Sequence, residues 1–285
     1  MTEDNKPTQG IVESWLVLVS GEFHYTKVCD GQFGKEYHPH LRMILRRAAV
    51  KGLVEPVSNR DGWWRVITQL PEPVSFDNEP VSSDLVLPFD LRKYVDVPKE
   101  TVTVVAGAKS SGKSGFLLRT AYLNKDKNVI ILSNLEGGRG ILRDRVMAMG
   151  LTLPFPFEIY PVTENFHDHI KEPNAIYIID YIDAPDGESF YKIGHYVKRV
   201  SDKLQGLNAL AVVGLQKPEG RDLPFGKDQT LKAAFLTIVL NKNILKIYDA
   251  KKSTDKKVNP NNMQWKFKYD EEGTNFTDIE QWFGL

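Results

Sequence analysis

Apolar and polar residues follow two different patterns along the chain, and the pattern changes near residue 100. Before that point it predicts three helices followed by two short strands. The helices are predicted at residues 11–19, 25–32 and 39–51, and the strands at 53–57 and 63–67. The third helix has the clearest pattern, because Leu41, Ile44, Leu45 and Ala48 recur at steps of three and four residues. With an Asp-Gly hairpin signal between the strands, we expect a small helical module that ends in a hairpin.

After residue 100 apolar strand patterns alternate with amphipathic helix patterns. Strands are predicted at residues 102–106, 129–133, 176–180 and 209–215, with helices at 115–123, 140–149 and 188–204 between them. Such alternation is typical of a mostly parallel sheet whose strands are joined by crossover helices. Three further strand patterns, at 235–240, 244–248 and 264–269, have no helix between them. We expect these strands to pair antiparallel at an edge of the same sheet, within an α/β fold.

A segment rich in proline and carboxylates separates the two patterns. Residues 71–90 contain several acidic residues but no lysine or arginine; the acidic ones are Glu72, Asp77, Glu79, Asp84 and Asp90. This composition is typical of a linker. We therefore predict a small module at residues 1–70, a linker at 71–90 and an α/β domain at 91–285.

The composition is that of an ordinary globular protein, with 41% hydrophobic and 26% charged residues, so a substantial core is expected. The formal net charge is zero, which gives no whole-chain argument for binding nucleic acid or an anionic membrane. The single cysteine, Cys29, excludes an internal disulfide bond and fits a reducing compartment. Because the N-terminus is polar and no apolar run reaches the length of a membrane span, we expect a soluble cytoplasmic protein.

The most specific motif is a glycine-rich loop between a predicted strand and a predicted helix. Residues 107–114 read Gly-Ala-Lys-Ser-Ser-Gly-Lys-Ser, a complete G-x-x-x-x-G-K-[ST] phosphate loop. In such loops the backbone N–H groups and the N-terminus of the next helix face the phosphates of ATP or GTP. The residues predicted to bind the nucleotide are Gly107, Ala108, Lys109, Ser110, Ser111, Gly112, Lys113, Ser114 and Gly115. We expect Lys113 to reach the β and γ phosphates and Ser114 to bind Mg²⁺; the alternative is a structural glycine turn.

Two acidic residues at strand ends are candidates for the rest of the site. Asp180 ends the apolar strand 176–180, where phosphate-loop enzymes place the carboxylate that acts on Mg²⁺. The next residue is Tyr181 rather than a carboxylate that could orient water. Glu136 follows strand 129–133, which we expect to neighbour the phosphate-loop strand, and it is the candidate to position the attacking water. The alternative for Glu136 is a solvated carboxylate in a loop.

These motifs, in this order, resemble the RecA-like ATPases, most closely the DnaB-type replicative helicase branch and its KaiC-type relatives. In that branch a Leu-Glu pair after the second strand is followed nine residues later by an arginine, as Leu135-Glu136 is followed by Arg145 here. The Ile-Asp-Tyr run at residues 179–181 is similar. A glutamine that closes the next strand in the family corresponds to Gln216.

The resemblance covers residues 87–269 and implies the cofactors, the oligomeric state and the roles of residues. It implies a RecA-like ATPase core that uses ATP and Mg²⁺, with Lys113, Glu136 and Gln216 as catalytic residues and Ser114 and Asp180 at the metal. In the family the glutamine senses the γ phosphate and relays it to DNA-binding loops, here the polar loop 217–230. The alternative for Gln216 is a simple residue at a strand end. The resemblance also implies a homo-oligomer with ATP at the subunit interface.

One position departs from the family pattern. In the family a late strand ends in Lys-x-Arg, which reaches the ATP of the neighbouring subunit; here Lys251 matches the lysine and Ser253 stands in place of the arginine. Such an arginine contributes several orders of magnitude in rate. Without it we expect slow hydrolysis, or a substitute such as Lys251 or Lys252 acting in trans, or Arg221.

The N-terminal module resembles a winged helix-turn-helix. Residues 41–51 correspond to its recognition helix, and Arg60 lies near the tip of the wing. Basic residues outnumber acidic ones between residues 35 and 67, so the module is locally positive. We predict that Arg42, Arg46 and Arg60 contact DNA. The alternative is that the module binds a protein partner, or that its charges form an ordinary solvated surface.

The function predicted from the sequence is that of an ATPase acting on or with DNA, in assembly, loading or remodelling. DNA and further copies of the chain are its expected partners, and no membrane is involved. The alternative is a nucleotide-dependent scaffold or regulator with little hydrolysis, whose N-terminal module binds a protein.

Overall fold

The computed structural model describes residues 6–67, 82–183, 192–218, 220–221, 223, 227–270 and 273–283. The chain divides into two compact units, Met1–Asp77 and Asn78–Leu285. Each unit has a hydrophobic core of its own.

The first unit contains three helices and a three-stranded sheet. In chain order its elements are α1 (Gln9–Leu18), β1 (Glu22–His24), α2 (Tyr25–Gln32), α3 (His38–Val50), β2 (Val54–Pro56) and β3 (Trp63–Val66). The sheet order is β1-β3-β2, and both strand pairs are antiparallel. The predicted helices and hairpin agree with these elements. Strand β1 was not predicted, because three residues are too few to show a period; its pairing with β3 defines it.

Helix α3 holds the first unit together. Its predicted apolar stripe is buried, with Leu41, Ile44, Leu45 and Ala48 each at most 2% exposed. These side chains pack against α1 and the sheet in one cluster. The helix ends as predicted before Gly52, whose φ of 71° lies in the left-handed region that glycine adopts without strain.

The second unit is an α/β structure with helices on both faces of one large sheet. Its strands are β4 (Val102–Gly107), β5 (Val129–Ser133), β6 (Glu158–Pro161), β7 (Ile176–Ile182), β8 (Leu210–Gln216), β9 (Leu236–Asn241), β10 (Ile244–Ala250), β11 (Gln264–Tyr269) and β12 (Phe276–Trp282). Its helices are α4 (Lys113–Leu123), α5 (Gly138–Ala148), α6 (Ile193–Leu204) and α7 (Lys227–Ala233). Short 3-10 segments occur at Pro88–Lys93 and Phe166–His169.

The sheet of the second unit is mostly parallel, as predicted. Its order is β12-β11-β10-β9-β4-β8-β7-β5-β6. Every pair from β9 to β6 is parallel, whereas β9–β10, β10–β11 and β11–β12 are antiparallel. The six parallel strands therefore present their carboxyl ends at one edge of the sheet, which is where α/β proteins bind ligands.

Three details differ from the prediction. Strand β9 was expected to belong to an antiparallel edge, but it pairs parallel with β4 in the middle of the sheet. Strands β6 and β12 were not predicted, because both are largely exposed and lack a continuous apolar pattern. The expected loop 217–230 and the start of the expected helix 188–204 lie partly outside the described residues, and α7 begins within that loop.

The acidic segment predicted as a linker is partly built into the second unit. Leu85, Leu87 and Phe89 are at most 7% exposed and belong to its core. The Phe89 ring lies 5.1 Å from that of Phe276 and 5.2 Å from that of Phe267, measured between centroids. The linker interpretation therefore does not extend to these residues, because their apolar side chains fill the space between α4 and the antiparallel strands.

We predict that Phe89→Ala lowers the free energy of unfolding of the second unit by about 3–5 kcal/mol, since it removes a buried ring from a packed cluster. The nearby Lys93→Ala is the matched control: Lys93 forms only an exposed ion pair with Asp90, so its loss changes stability by less than about 1 kcal/mol. Urea unfolding of the two variants measures the difference. Equal stabilities would show that residues 85–91 do not belong to the core.

Candidate functional site

The glycine-rich loop connects β4 to α4 at the carboxyl edge of the sheet. Gly112 has a φ of 93°, a backbone conformation that a residue with a side chain rarely adopts. A Cβ atom on Gly107 would lie 2.2 Å from the Ser111 Oγ and 2.8 Å from the Lys113 Cγ. Both fixed glycines of the motif are therefore required by the shape of the loop, which folds tightly enough to enclose an anion.

Lys113 lies inside this loop and is only 9% exposed. Its Nζ donates a hydrogen bond of 3.0 Å to the carbonyl of Ala108. Burial lowers the pKa of Lys113, while the nearby carboxylates of Asp180, Glu136 and Asp183 act in the opposite direction. A buried ammonium group held against the loop is suited to bind phosphate oxygens, whose charge would offset the effect of burial.

The Ser114 hydroxyl donates a hydrogen bond of 3.1 Å to the Oδ1 of Asp180. The two residues come from α4 and β7, and the structure brings them together although 66 positions separate them in the chain. Burial raises the pKa of Asp180, although Ser114 and Lys113 favour its charged form. Two adjacent oxygen groups, one of them a carboxylate, are the ligands that Mg²⁺ prefers. Among the described residues, no cluster of three or more His, Cys, Asp or Glu side chains offers another metal site.

Glu136 follows β5 and faces the same cleft. The prediction that β5 neighbours the phosphate-loop strand is wrong, because β8 and β7 lie between β4 and β5. Glu136 is nevertheless close enough to influence the pKa of both Lys113 and Asp180, since all four strands are parallel and end at one edge. Its backbone N–H donates to the Oδ1 of Asn134, and the carboxylate itself is exposed. It is therefore placed where it can contact water in the cleft.

Gln216 ends β8, the strand between β4 and β7. It pairs in register with Gly107, the first residue of the glycine-rich loop, and its side chain lines the cleft. The next residue, Lys217, is buried; its backbone N–H donates to the carbonyl of Gly107, and its Nζ donates to the carbonyl of Arg221. The end of β8 is thus attached to the loop, and a shift of either can be transmitted to the other.

The cleft that contains these residues has a volume of about 550 Å³. This is within the usual range for sites that bind small molecules and cofactors. On one side α5 contributes Ile141, Leu142 and Arg145, and on the other side the β11–β12 hairpin contributes Tyr269 and Gly273. Arg145 was noted in the sequence, whereas the hairpin was not connected with the site. No local signal could have shown this, because the hairpin is far from the loop in the chain.

The β11–β12 hairpin packs directly against the start of α4. A Cβ atom on Gly115 would lie 1.8 Å from the backbone oxygen of Gly273, so the residue after Ser114 must be glycine. Asn275 accepts a hydrogen bond from Arg119 of α4 and bonds Asp270 within the turn. Burial acts to raise the pKa of Asp270, but hydrogen bonds from Thr274 and Asn275 outweigh it and lower the pKa. The hairpin is therefore a fixed wall of the cleft.

The two lysines predicted to act in trans lie away from this cleft. Strand β10 runs antiparallel to β9, so its end at Ala250 lies opposite Leu236, at the other edge of the sheet. There Lys251 donates a hydrogen bond of 3.0 Å to the carbonyl of Lys232, and Lys252 forms an ion pair of 2.5 Å with Asp96. Neither lysine acts on the cleft of its own chain, and their role toward a neighbouring subunit stays a prediction.

The DNA-contact candidates all lie in the first unit. The Arg42 Nη2 lies 3.5 Å from the Oδ1 of Asp61, and Arg60 forms an ion pair of 2.7 Å with Glu22. Arg46 is exposed on α3 and has no ion-pair partner among the described residues. Two of the three candidates are thus compensated by carboxylates of the same unit.

Comparison with known proteins adds little to this geometry. No protein-family model and no curated protein sequence matches the chain. A solved DnaB-type ATPase domain is similar, with 16% identity and a TM-score of 0.48 over 64% of this chain and 86% of that chain. A KaiC-like protein from the hyperthermophilic archaeon Pyrococcus horikoshii OT3 has 13% identity and a TM-score of 0.49, over 70% of this chain and 98% of that chain. In the described part of the chain, no helix is long and apolar enough to cross a membrane.

We predict that Asp180→Asn stabilises the protein without nucleotide at neutral pH and weakens its stabilisation by Mg²⁺ and ATP. Because the pKa of Asp180 is raised on folding, stability falls as pH rises from the ordinary carboxyl pKa through the raised one, and the penalty is fully present above it. Asparagine removes this penalty but cannot supply the charge.

Thermal unfolding of both proteins at acidic and neutral pH, with and without Mg²⁺ and ATP, measures the effect. The advantage of the variant should disappear at acidic pH, where both side chains are uncharged. Asp202→Asn is the control, because Asp202 forms only an exposed ion pair with Lys198. A variant that is less stable than the wild type at neutral pH would contradict the prediction.

Proposed function

We propose that the second unit is a Mg²⁺-dependent ATPase with a RecA-like arrangement. The observation that carries the proposal is the hydrogen bond between Ser114 and Asp180, buried at the same sheet edge as Lys113. Serine and aspartate from a phosphate-loop helix and a parallel strand are the groups that hold Mg²⁺ in phosphate-loop enzymes. The order of the motifs along the chain and the mostly parallel sheet support the RecA-like arrangement.

The residues of the cleft have distinct roles in this proposal. The loop amides and the ammonium group of Lys113 bind the β and γ phosphates, and Ser114 and Asp180 hold the metal. A bound Mg²⁺ would neutralise charge on these phosphates. Glu136 orients a water molecule toward the γ phosphate and accepts its proton. Gln216 contacts the γ phosphate and transmits its presence through Lys217, which is bonded to the loop.

Slow hydrolysis and self-assembly are parts of the same proposal. Ser253 replaces the arginine expected to act in trans, and Lys252 is held in an ion pair with Asp96. A lysine is a weaker partner for phosphate than the planar guanidinium group, so turnover should be slow. We propose that a second copy of the chain completes the site, as in the family that the sequence resembles.

We predict that two substitutions in the cleft separate binding from hydrolysis. Lys113→Ala should abolish detectable ATP binding, because it removes the ammonium group within the loop. Glu136→Gln should keep ATP binding and lower the turnover rate by at least about 100-fold, since the amide cannot accept the proton. Binding is measured with a fluorescent ATP analogue and turnover by phosphate release.

The exposed neighbours Lys171 and Glu172 provide matched controls. Lys171→Ala and Glu172→Gln should bind and hydrolyse ATP as the wild type does. If Glu136→Gln retained full turnover, Glu136 would be a solvated loop carboxylate. If the wild type bound ATP tightly without turnover, the scaffold function would replace the ATPase function.

Action on DNA is a further proposal, and its support is weaker. It comes from the resemblance and from Arg46, whereas Arg42 and Arg60 are compensated within the first unit. We predict that, if the ATPase acts on DNA, single-stranded or double-stranded DNA raises the turnover rate at least several-fold. Phosphate release is measured without DNA and with each form, together with size-exclusion chromatography with and without ATP. A rate unchanged by both forms, from a chain that stays monomeric with ATP, would exclude this role.

A further inference from the structure

The outer side of α3 is exposed and has no role in the proposed ATPase. The positions opposite the buried stripe of this helix are Pro39, Met43, Arg46 and Val50, which follow one another at steps of four, three and four residues. Met43 is 39% exposed and Val50 is 90% exposed. A recognition helix that reads DNA presents polar groups at this position, whereas here the centre of the exposed side is apolar around one arginine.

Helix α1 extends this apolar surface at one end. The Glu13 carboxylate of α1 forms an ion pair of 2.6 Å with Lys51, the residue that follows Val50. Val17 lies one turn after Glu13 on the same side of α1 and is 83% exposed. We use the term α3 face for the surface formed by Pro39, Met43, Arg46, Val50 and Val17.

The charge around the α3 face is positive but limited. Arg46 and Arg47 are exposed, and neither has an ion-pair partner in the part of the chain that the structure describes. The other arginines of the unit are compensated, Arg42 by Asp61, Arg60 by Glu22 and Arg65 by Glu55. Arg60 also lies 4.1 Å above the ring of Trp63, which further fixes its position. A ligand of this face must therefore be apolar in the middle and negatively charged beside Arg46 and Arg47.

DNA does not fit this description. Binding to duplex DNA depends on several cations directed at phosphates and on polar groups that reach base edges. On the α3 face, Pro39, Met43 and Val50 occupy the positions that would enter the groove, and two of the predicted DNA-contact arginines are already bonded to carboxylates. Exposed aliphatic residues next to uncompensated arginines are instead characteristic of a surface that binds protein.

We propose that the α3 face docks an acidic amphipathic helix from a protein partner. Apolar residues at steps of three and four on the partner helix cover Met43, Val50 and Val17, as in other helices that bind to an apolar surface. Glutamate or aspartate residues flanking that stripe pair with Arg46 and Arg47. The proposal does not depend on ATP hydrolysis, because none of these residues belongs to the cleft.

Three labelled probes test the proposal on the full-length protein. The first is a synthetic helical peptide of about five turns, with leucines on one side and glutamates flanking them. The second has the same leucines with lysines in place of the glutamates. The third is a DNA duplex of about two helical turns. Fluorescence anisotropy should show that the glutamate peptide binds, whereas the lysine peptide and the duplex bind at least about tenfold more weakly.

Variants of the α3 face locate the binding. Val50→Asp and Arg46→Glu should each weaken binding of the glutamate peptide at least about tenfold. Arg46→Glu should also improve binding of the lysine peptide. The controls are Leu153→Asp and Arg199→Glu, exposed residues of the second unit that should bind the peptide as the wild type does. Unchanged ATP turnover in Val50→Asp and Arg46→Glu shows that these variants are folded.

Each contrary outcome overturns the proposal. Tight binding of the duplex that Arg46→Glu abolishes would assign the face to DNA. Binding of both peptides with equal affinity would show that charge plays no part. If none of the probes binds to the folded protein, the face does not dock an acidic helix. Failure of ATP hydrolysis in the wild type would affect only the ATPase proposal.

Discussion

The burial of two opposite charges at one edge of the sheet determines the rest of the second unit. Lys113 and Asp180 are both removed from water, which lowers the pKa of the lysine and raises that of the carboxyl group, and each partly offsets the effect on the other. Such a pair persists only where hydrogen bonds hold both partners, here from Lys113 to Ala108 and from Ser114 to Asp180. The loop, α4 and β7 must therefore keep a fixed arrangement.

Close packing around glycine imposes the second constraint. Gly107 leaves room for Ser111 and Lys113 within the loop, and Gly115 allows the backbone of Gly273 to approach α4. The antiparallel strands are for this reason part of the site rather than an addition to a distant edge. The core residues Phe89, Phe116, Phe267 and Phe276 fill the space behind the hairpin and keep it against α4. The segment before β4 thereby contributes to the stability of the cleft.

The first unit shows how tertiary structure changes the meaning of a charge pattern. In the sequence its excess of arginines suggests a surface for nucleic acid. In the folded unit several of these arginines bond to carboxylates that come from other elements, such as Arg60 to Glu22 and Arg65 to Glu55. The positive charge that stays uncompensated lies beside exposed aliphatic residues of α3. A surface of this kind favours a protein partner, which makes the ATPase a component of an assembly.

The sequence by itself determined the local elements and the residue types of the candidate site. Helical and strand periods located nearly every central element, and the motif at residues 107–114 identified its own loop, because its function depends on backbone shape and short spacing. The tertiary structure decided what no local pattern contains: that β8 and β7 lie between β4 and β5, that β9 is parallel to β4, and that the β11–β12 hairpin lines the cleft. These relations depend on pairing and packing between distant segments, and such contacts leave no period in the chain.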